Sequence, residues 1–214
     1  MLAIYDPLVL GLANRFVWRC PTRVIRDHYA QHLGRVHVEI GPGTGYFLDH
    51  VPFPAPDPQI TLIDANPGPL AVAGRRLRRY RPSTIRADVL RPLPLPPGSA
   101  DSVALGFVLH CLPGGVRGKE QALMHAARVV GDTGVVFGAT VLDAGVRHSP
   151  HSRLHQGLLN AAGVFNNRGD SLEDLAAVLH EGFREVEVST HGAVALFAAR
   201  GRRASHSDSA SVVA

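Results

Sequence analysis

The sequence Glu39-Ile40-Gly41-Pro42-Gly43-Thr44-Gly45-Tyr46 follows the short apolar run Val36-His37-Val38. A β-branched run that ends in an acid and breaks into alternating glycines predicts a strand, a tight loop and the beginning of a helix. The three glycines allow positive φ angles and a close approach of the backbone to a ligand. Because such a loop presents free N–H groups at a helix N-terminus, the stretch predicts a site for a nucleotide-like cofactor.

Two common phosphate-binding loops do not match this stretch. A P-loop requires Gly-Lys-Ser/Thr after its glycines, whereas Tyr46 and Phe47 follow here. The dinucleotide pattern G-x-G-x-x-G requires its third glycine at the position of Tyr46. The remaining pattern, E-x-G-x-G-x-G, resembles motif I of the class I methyltransferases that use S-adenosylmethionine (SAM). The resemblance implies a SAM site that includes Glu39, Gly41, Gly43 and Gly45.

The rest of the chain alternates predicted strands and helices. Strands are predicted over residues 36–40, 60–64, 84–87, 102–107, 134–142, 185–189 and 193–199. This order indicates an α/β fold with a parallel sheet flanked by helices. The closing hairpin is similar to that of class I methyltransferases, and the resemblance covers about residues 35–200. It implies one seven-stranded Rossmann-like sheet in the order 3-2-1-4-5-7-6, with helices on both faces.

Three segments are expected along the chain. Residues 1–34 are predicted to form two helices, over about 7–18 and 20–32, that lie over the cofactor site as an N-terminal helical lid. Residues 35–200 form the SAM-binding methyltransferase domain that the resemblance implies. Residues 201–214, rich in Ser, Ala and Arg, are expected to be a disordered tail.

Acids at the ends of two predicted strands extend the cofactor site. Asp64 ends the second strand, where a carboxylate can accept hydrogen bonds from both ribose hydroxyls. In the family that the sequence resembles, an acid at the place of Asp88 accepts from the adenine amine. The implied cofactor residues here are Asp64, Ala65, Asn66, Asp88 and Val89. Each acid has an alternative interpretation, Asp64 as a helix N-cap and Asp88 as a surface turn residue.

The segment from Asp101 to Pro113 resembles motif IV, where the fourth strand ends beside the methionine part of the cofactor, and it adds Phe107 to the implied cofactor residues. It lacks the Asn/Asp-Pro-Pro-Tyr/Phe sequence of enzymes that methylate amino groups of DNA bases. Cys111 is followed by Leu112, so the Pro-Cys order of cytosine C5 enzymes is also absent. The clustered carboxylates of a metal-dependent catechol-type site are missing as well. A nucleic-acid substrate is therefore not expected.

The candidate general base for methyl transfer is His110, at the end of the fourth strand, with His28 and Tyr29 as weaker candidates. A packed histidine is an equally valid interpretation of His110. The predicted acceptor-binding residues are aromatic or imidazole side chains, which could equally belong to the core: Tyr5, Trp18, Tyr46, His151 and Phe165. His148, His151 and His155 lack the Glu and Cys partners of common zinc motifs, so no metal is predicted.

Composition limits the remaining classes. No run of 18 uncharged apolar residues and no basic leader are present, so a cytoplasmic protein without a membrane span is expected. Of the 22 basic residues only Lys119 is a lysine, and the arginine cluster in residues 75–81 is expected to be a solvated helix face. Two cysteines are too few for a disulfide framework.

The sequence thus predicts a SAM-dependent methyltransferase that acts on a small, aromatic or apolar metabolite, resembling the small-molecule enzymes of bacterial secondary metabolism. Carbon, oxygen and nitrogen acceptors all stay open at this stage. An RNA or protein methyltransferase that uses the arginine helix and a SAM-binding module without turnover are the alternatives. A monomer or a homodimer is expected.

Overall fold

Seven strands form one sheet in the computed structural model, which describes residues 17–203. They are β1 (Val36–Ile40), β2 (Gln59–Asp64), β3 (Ser83–Arg86), β4 (Ser102–Gly106), β5 (Val135–Val141), β6 (Phe183–His191) and β7 (Val194–Arg202). Their order is β3-β2-β1-β4-β5-β7-β6. The first five strands are parallel, and β7 pairs antiparallel with both β5 and β6. The predicted fold class and strand order are confirmed.

Helices cover both faces of this sheet, as predicted. They are α1 (Thr22–His32), α2 (Tyr46–His50), α3 (Pro67–Arg76), α4 (Gly115–Gly118), α5 (Glu120–Val130), α6 (Pro150–Ala161) and α7 (Leu172–Gly182). Apolar residues of α1, α2 and α3 pack on one face, and those of α5 and α7 pack on the other. Because successive side chains of a strand point to opposite faces, Val38 and Ile40 of β1 join the α5 side, whereas His37 and Glu39 face α1.

The N-terminal region differs from the predicted lid. In α1, Ile25 and Tyr29 are fully buried, and Tyr29 packs edge-on against Phe137 of β5. Apolar residues four positions apart form one helical stripe, and here that stripe packs on the sheet. Helix α1 is therefore a layer of the core. The helix predicted before it falls almost entirely on residues 1–16, outside the described residues, as does Tyr5.

The expected tail begins later than predicted. Strand β7 continues through Arg202, whose register partner in β6 is Phe183. Arg203 then donates from Nε to the Phe183 carbonyl at 2.9 Å. Composition alone predicted disorder from Gly201, but the pairing with β6 holds Gly201 and Arg202 in the sheet. Residues 204–214 lie outside the described part of the chain.

Candidate functional site

A cavity of about 460 Å³ lies at the carboxyl ends of β1, β2 and β4. In parallel α/β sheets this edge, at the point where the strand order reverses, is the usual place for a ligand. Nine of the ten predicted cofactor residues line the cavity: Glu39, Gly41, Gly43, Asp64, Ala65, Asn66, Asp88, Val89 and Phe107. The structure thus brings together residues that are up to 68 positions apart in the chain.

The glycine loop turns the chain from β1 into α2. Gly41 has a φ of 66°, and a Cβ on it would lie 2.4 Å from Cγ2 of Val108, so a larger residue would collide with the turn after β4. Gly45 is the predicted cofactor residue that does not line the cavity. It caps α2 with a φ of 75°, and a Cβ there would lie 3.2 Å from the backbone of Ala73. Its small size serves the packing of α2 on α3.

Asp64 and Asp88 each combine a cavity-lining position with a turn. Asp64 is half-buried, and its Oδ1 accepts from the Asn66 N–H at 2.8 Å. Burial raises the pKa of Asp64, against the effect of that hydrogen bond. Asp88 is exposed, and its Oδ1 accepts from the Leu90 N–H at 3.0 Å. The turn and ligand interpretations are therefore compatible, since a carboxylate has several acceptor sites.

Glu39 forms the buried floor of the cavity, with 4% of its surface exposed. Its Oε1 accepts from the Tyr29 hydroxyl at 2.8 Å, and its Oε2 lies 3.0 Å from Nε2 of His37. His37 Nδ1 is 2.8 Å from the Ser102 hydroxyl. The sequence interpretation missed His37 and Ser102. The period of two along a strand places His37 beside Glu39 and is the signal that could have found it.

The structure argues against His110 as the general base. His110 is buried and does not line the cavity. Its Nδ1 accepts from the Val141 N–H at 3.2 Å, so the neutral ring carries its proton on Nε2. Burial, and then the charge of Lys119, lower the pKa of His110 to about 3. A ring with its lone pair already used and so low a pKa cannot take a proton efficiently near neutral pH.

The two other predicted bases also lie away from the cavity lining. His28 Nε2 is 3.0 Å from the carbonyl oxygen of Phe197, which accepts its N–H, and burial lowers the pKa of His28. Tyr29 is fully buried with its hydroxyl on Glu39. Burial and then the Glu39 charge raise the Tyr29 pKa well above its usual value. Both side chains lie in the α1 layer on the sheet.

The predicted acceptor-binding residues separate into three groups. Tyr46 lines the cavity beside Phe47 and Phe107. Trp18 and Phe165 are buried and stacked, with ring centroids 5.8 Å apart, but they do not line the cavity. His151 is exposed on α6 and does not line the cavity either. The packed aromatic pair follows the alternative interpretation, a core role.

A turn after β4 supplies cavity residues that the sequence interpretation did not assign. Val108, Cys111 and Leu112 line the cavity next to Phe107. Phe107 has a φ of 61°, which is uncommon for a residue other than glycine and which bends the chain sharply at the end of β4. Loss of hydration raises the pKa of the Cys111 thiol to about 11, so this group is not a thiolate near neutral pH.

Among residues 17–203, no cluster of three or more His, Cys, Asp or Glu side chains could hold a metal ion. None of the helices in this part of the chain is long and apolar enough to cross a membrane. In the arginine cluster, Arg79 and Arg76 pair with Asp49, and Arg76 also donates to the Thr44 hydroxyl at 3.0 Å.

Comparisons with known proteins agree with this architecture. The methyltransferase domain family matches residues 38–136. The demethylluteothin O-methyltransferase of Streptomyces thioluteus is 46% identical over 198 residues, which are 92% of this chain and 86% of that protein. The physcion biosynthesis cluster O-methyltransferase of Aspergillus chevalieri is 37% identical over 201 residues, covering 93% of this chain and 90% of that protein.

A solved structure shows the same fold. An O-methyltransferase family protein from Burkholderia thailandensis has a TM-score of 0.65 at 19% identity, covering 96% of this chain and 60% of that one. The sheet order, the glycine loop and the identity to the two relatives are mutually consistent. The chain is therefore an enzyme of the class I, Rossmann-like family of SAM-dependent methyltransferases, related to the small-molecule methyltransferases of secondary metabolism.

Proposed function

We propose that the cavity binds SAM and that the enzyme transfers the methyl group to a hydroxyl oxygen of a small, aromatic or apolar metabolite. The observation that carries this proposal is the lining of the cavity, where Glu39 and the glycine loop adjoin Asp64 and Asp88. The relatives that are named O-methyltransferases support oxygen as the acceptor atom.

The order of the strands gives SAM a direction across the site. Asp88 follows β3, Asp64 ends β2, and Glu39 lies on β1, so these acids follow one another along the sheet edge. Adenine at Asp88 and ribose at Asp64 leave the methionine end at Glu39, Gly41 and the end of β4. A carboxylate at that end favours the cationic amino group of the methionine part. The lining residues therefore fit the whole donor.

The residues of this chain position the reactants and limit water at the reacting atoms. SAM supplies a methyl group on a sulfonium that is already activated for displacement, so alignment lowers much of the barrier. Tyr46, Phe47 and Phe107 provide apolar surface at the methionine end of the cavity. Among the described residues that line the cavity, none is a histidine. An acidic hydroxyl, as in a phenol or an enol, is therefore the acceptor that these residues suit best.

Calorimetry with SAM and with its product S-adenosylhomocysteine tests the donor. We expect both to bind, and we expect Asp64→Asn to weaken binding about tenfold or more, because the charged acceptor for the ribose is lost. Asn keeps an oxygen for the Asn66 N–H, so the turn survives, whereas Asp64→Ala removes both functions. Binding of NAD without binding of SAM would overturn the proposal.

Product analysis tests the acceptor atom. The enzyme is incubated with SAM that carries an isotope-labelled methyl group and with panels of phenols, enols, amines and indoles. We expect labelled methyl ethers from the phenols or enols. Labelled product only from amines or at indole carbon would contradict oxygen as the acceptor while leaving the proposal for SAM intact.

A small acceptor, rather than RNA, is also part of the proposal. The pairing of Arg76 and Arg79 with Asp49 supports it, because these two arginines already serve an intramolecular role. Filter binding with a generic RNA at several salt concentrations provides the test. Tight binding that weakens steeply with salt would favour the RNA-methyltransferase alternative.

A further inference from the structure

Four buried polar side chains form a hydrogen-bonded series beneath the cavity floor, named here the Glu39 network: Tyr29, His37, Glu39 and Ser102. Tyr29, His37 and Ser102 have no exposed surface, and Glu39 has 4%. The series lies on the α1 face of the sheet, and the rings of His37 and Tyr29 contact Phe137 there. Polar groups so placed in an apolar layer require their hydrogen bonds.

The donors and acceptors of the Glu39 network match from one end to the other. The Ser102 hydroxyl oxygen accepts from the Gly34 N–H at 2.8 Å and lies 2.8 Å from Nδ1 of His37. Because a carboxylate only accepts hydrogen bonds, Nε2 of His37 donates to Oε2 of Glu39 at 3.0 Å. The Tyr29 hydroxyl donates to Oε1. Both carboxylate oxygens thereby have a partner that fixes their orientation.

The neighbouring strand leaves space for this arrangement. A Cβ on Gly106, at the end of β4, would lie 2.1 Å from the Tyr29 hydroxyl and 3.6 Å from Oε1 of Glu39. Any side chain at residue 106 would therefore displace the hydroxyl from the carboxylate. Tyr29 and His37 themselves lie outside the cavity lining, whereas Glu39 belongs to it. The Tyr29 ring also stacks on Phe47 of the lining, whereas the Tyr29 hydroxyl and the His37 ring nitrogen contact the lining through their hydrogen bonds to Glu39.

We propose that Tyr29 and His37 are positioning residues that hold the Glu39 carboxylate in place for the cationic amino group of the methyl donor. The inference rests on the proposed SAM site. A preoriented acceptor binds a cation without the loss of side-chain freedom that a mobile glutamate would undergo. The sequence match to the methyltransferase domain begins at residue 38, so both residues precede the matched part.

Two ligands separate positioning from a general contribution to folding. S-adenosylhomocysteine carries the amino-acid end, whereas 5′-methylthioadenosine has the adenosine and the sulfur without it. We expect Tyr29→Phe and His37→Phe each to weaken S-adenosylhomocysteine binding about tenfold, the size of one hydrogen bond to a charged group. Binding of 5′-methylthioadenosine should stay within about twofold of wild type, because that ligand does not reach Glu39.

Conservative variants provide the controls. Tyr29→Phe keeps the ring that stacks on Phe47, and Tyr80→Phe removes a hydroxyl outside the Glu39 network. His37→Gln restores an N–H donor near the place of Nε2 and should recover most of the affinity that His37→Phe loses. Gly106→Ala, at a residue that lines the cavity and faces the Tyr29 hydroxyl, should also lower S-adenosylhomocysteine affinity. Thermal unfolding of each variant shows whether it is folded.

The outcomes are distinct. Selective loss of S-adenosylhomocysteine affinity, with little further effect of Tyr29→Phe in a Glu39→Gln background, supports positioning through Glu39. Equal losses for both ligands, or unchanged affinity for both, would overturn the inference. If Tyr29→Phe does not fold, the same criterion applies to His37→Phe, with His37→Gln as the variant that should recover the affinity. A wild-type enzyme that binds neither ligand would instead refute the proposed function.

Discussion

At the scale of single residues, His110 shows how a correctly placed side chain can have an unexpected role. Its ring accepts the Val141 N–H, and its own carbonyl accepts the Asn166 N–H at 2.7 Å. His110 therefore joins the turn after β4 to β5 and to the loop that carries Phe165, whose ring lies 4.3 Å away between centroids. The sequence predicts that the strand ends near His110. The direction in which its ring points depends on contacts with residues 30 or more positions away.

Replacement of His110 tests this anchoring role. His110→Asn keeps an acceptor near the place of Nδ1 and should leave turnover within a few-fold of wild type. His110→Ala leaves the buried Val141 N–H unpaired and should cost about 1–3 kcal/mol in the free energy of unfolding. Urea unfolding and steady-state turnover provide the two measurements. A loss of turnover of about 10²-fold or more in folded His110→Asn would restore His110 as a base.

At the scale of elements, one buried ion pair connects a helix break to the loop before α7. The sequence predicts a single helix over residues 117–130, but the structure ends α4 at Gly118 and begins α5 at Glu120. Lys119, between them, donates to Asp170 Oδ2 at 2.6 Å and to the Asn166 carbonyl at 3.2 Å. The side chains of Lys119 and Asp170 are at most 1% exposed. A lone lysine in a helical pattern indicates a solvated position, so this burial was not predictable locally.

Because this ion pair is buried, we expect a single variant to lose more free energy of unfolding than the double variant. Lys119→Met leaves the Asp170 carboxylate buried without its cation and should lower the free energy of unfolding by about 3–5 kcal/mol. The double variant with Asp170→Leu should recover most of that loss, since apolar groups can replace a buried pair. Urea unfolding of both variants gives the comparison. A double variant as unstable as Lys119→Met alone would show that the pair does not act as a unit.

At the scale of the whole molecule, local signals predicted most of the sheet. Apolar runs and glycine breaks predicted the strands. The sequence Ser171-Leu-Glu-Asp174 is typical of a capping box, and the Ser171 hydroxyl accepts from the Asp174 N–H at the beginning of α7. The cofactor residues predicted at strand ends and in the glycine loop all line the cavity, except Gly45. The packing of α1 and the partners of Glu39 were not predicted. The period of two along β1 could have indicated His37, but its contact with Ser102, 65 positions away, has no local signal in a single sequence.

The charge state of the core predicts how the stability of the fold depends on pH. Burial, followed by the charges of His28 and Arg200, lowers the pKa of His32 to about 4, and the His110 pKa is about 3. In the unfolded chain both imidazoles titrate near their usual pKa of about 6.5. Below that pH the unfolded state binds more protons than the folded state, so the free energy of unfolding falls as the pH decreases.

The expected slope is about 1.4 kcal/mol per pH unit for each of the two histidines once the pH is below about 6. Urea unfolding at pH 7.5, 6.5 and 5.5 covers a window above the usual titration of carboxyl groups. His32→Gln should lower the slope by about 1.4 kcal/mol per pH unit, because the lowered pKa values of His28 and His110 then remain. The exposed His151 serves as the matched control, and His151→Gln should leave the slope unchanged. A free energy of unfolding that stays constant over this window would mean that both rings gain a proton in the folded state as readily as in the unfolded chain.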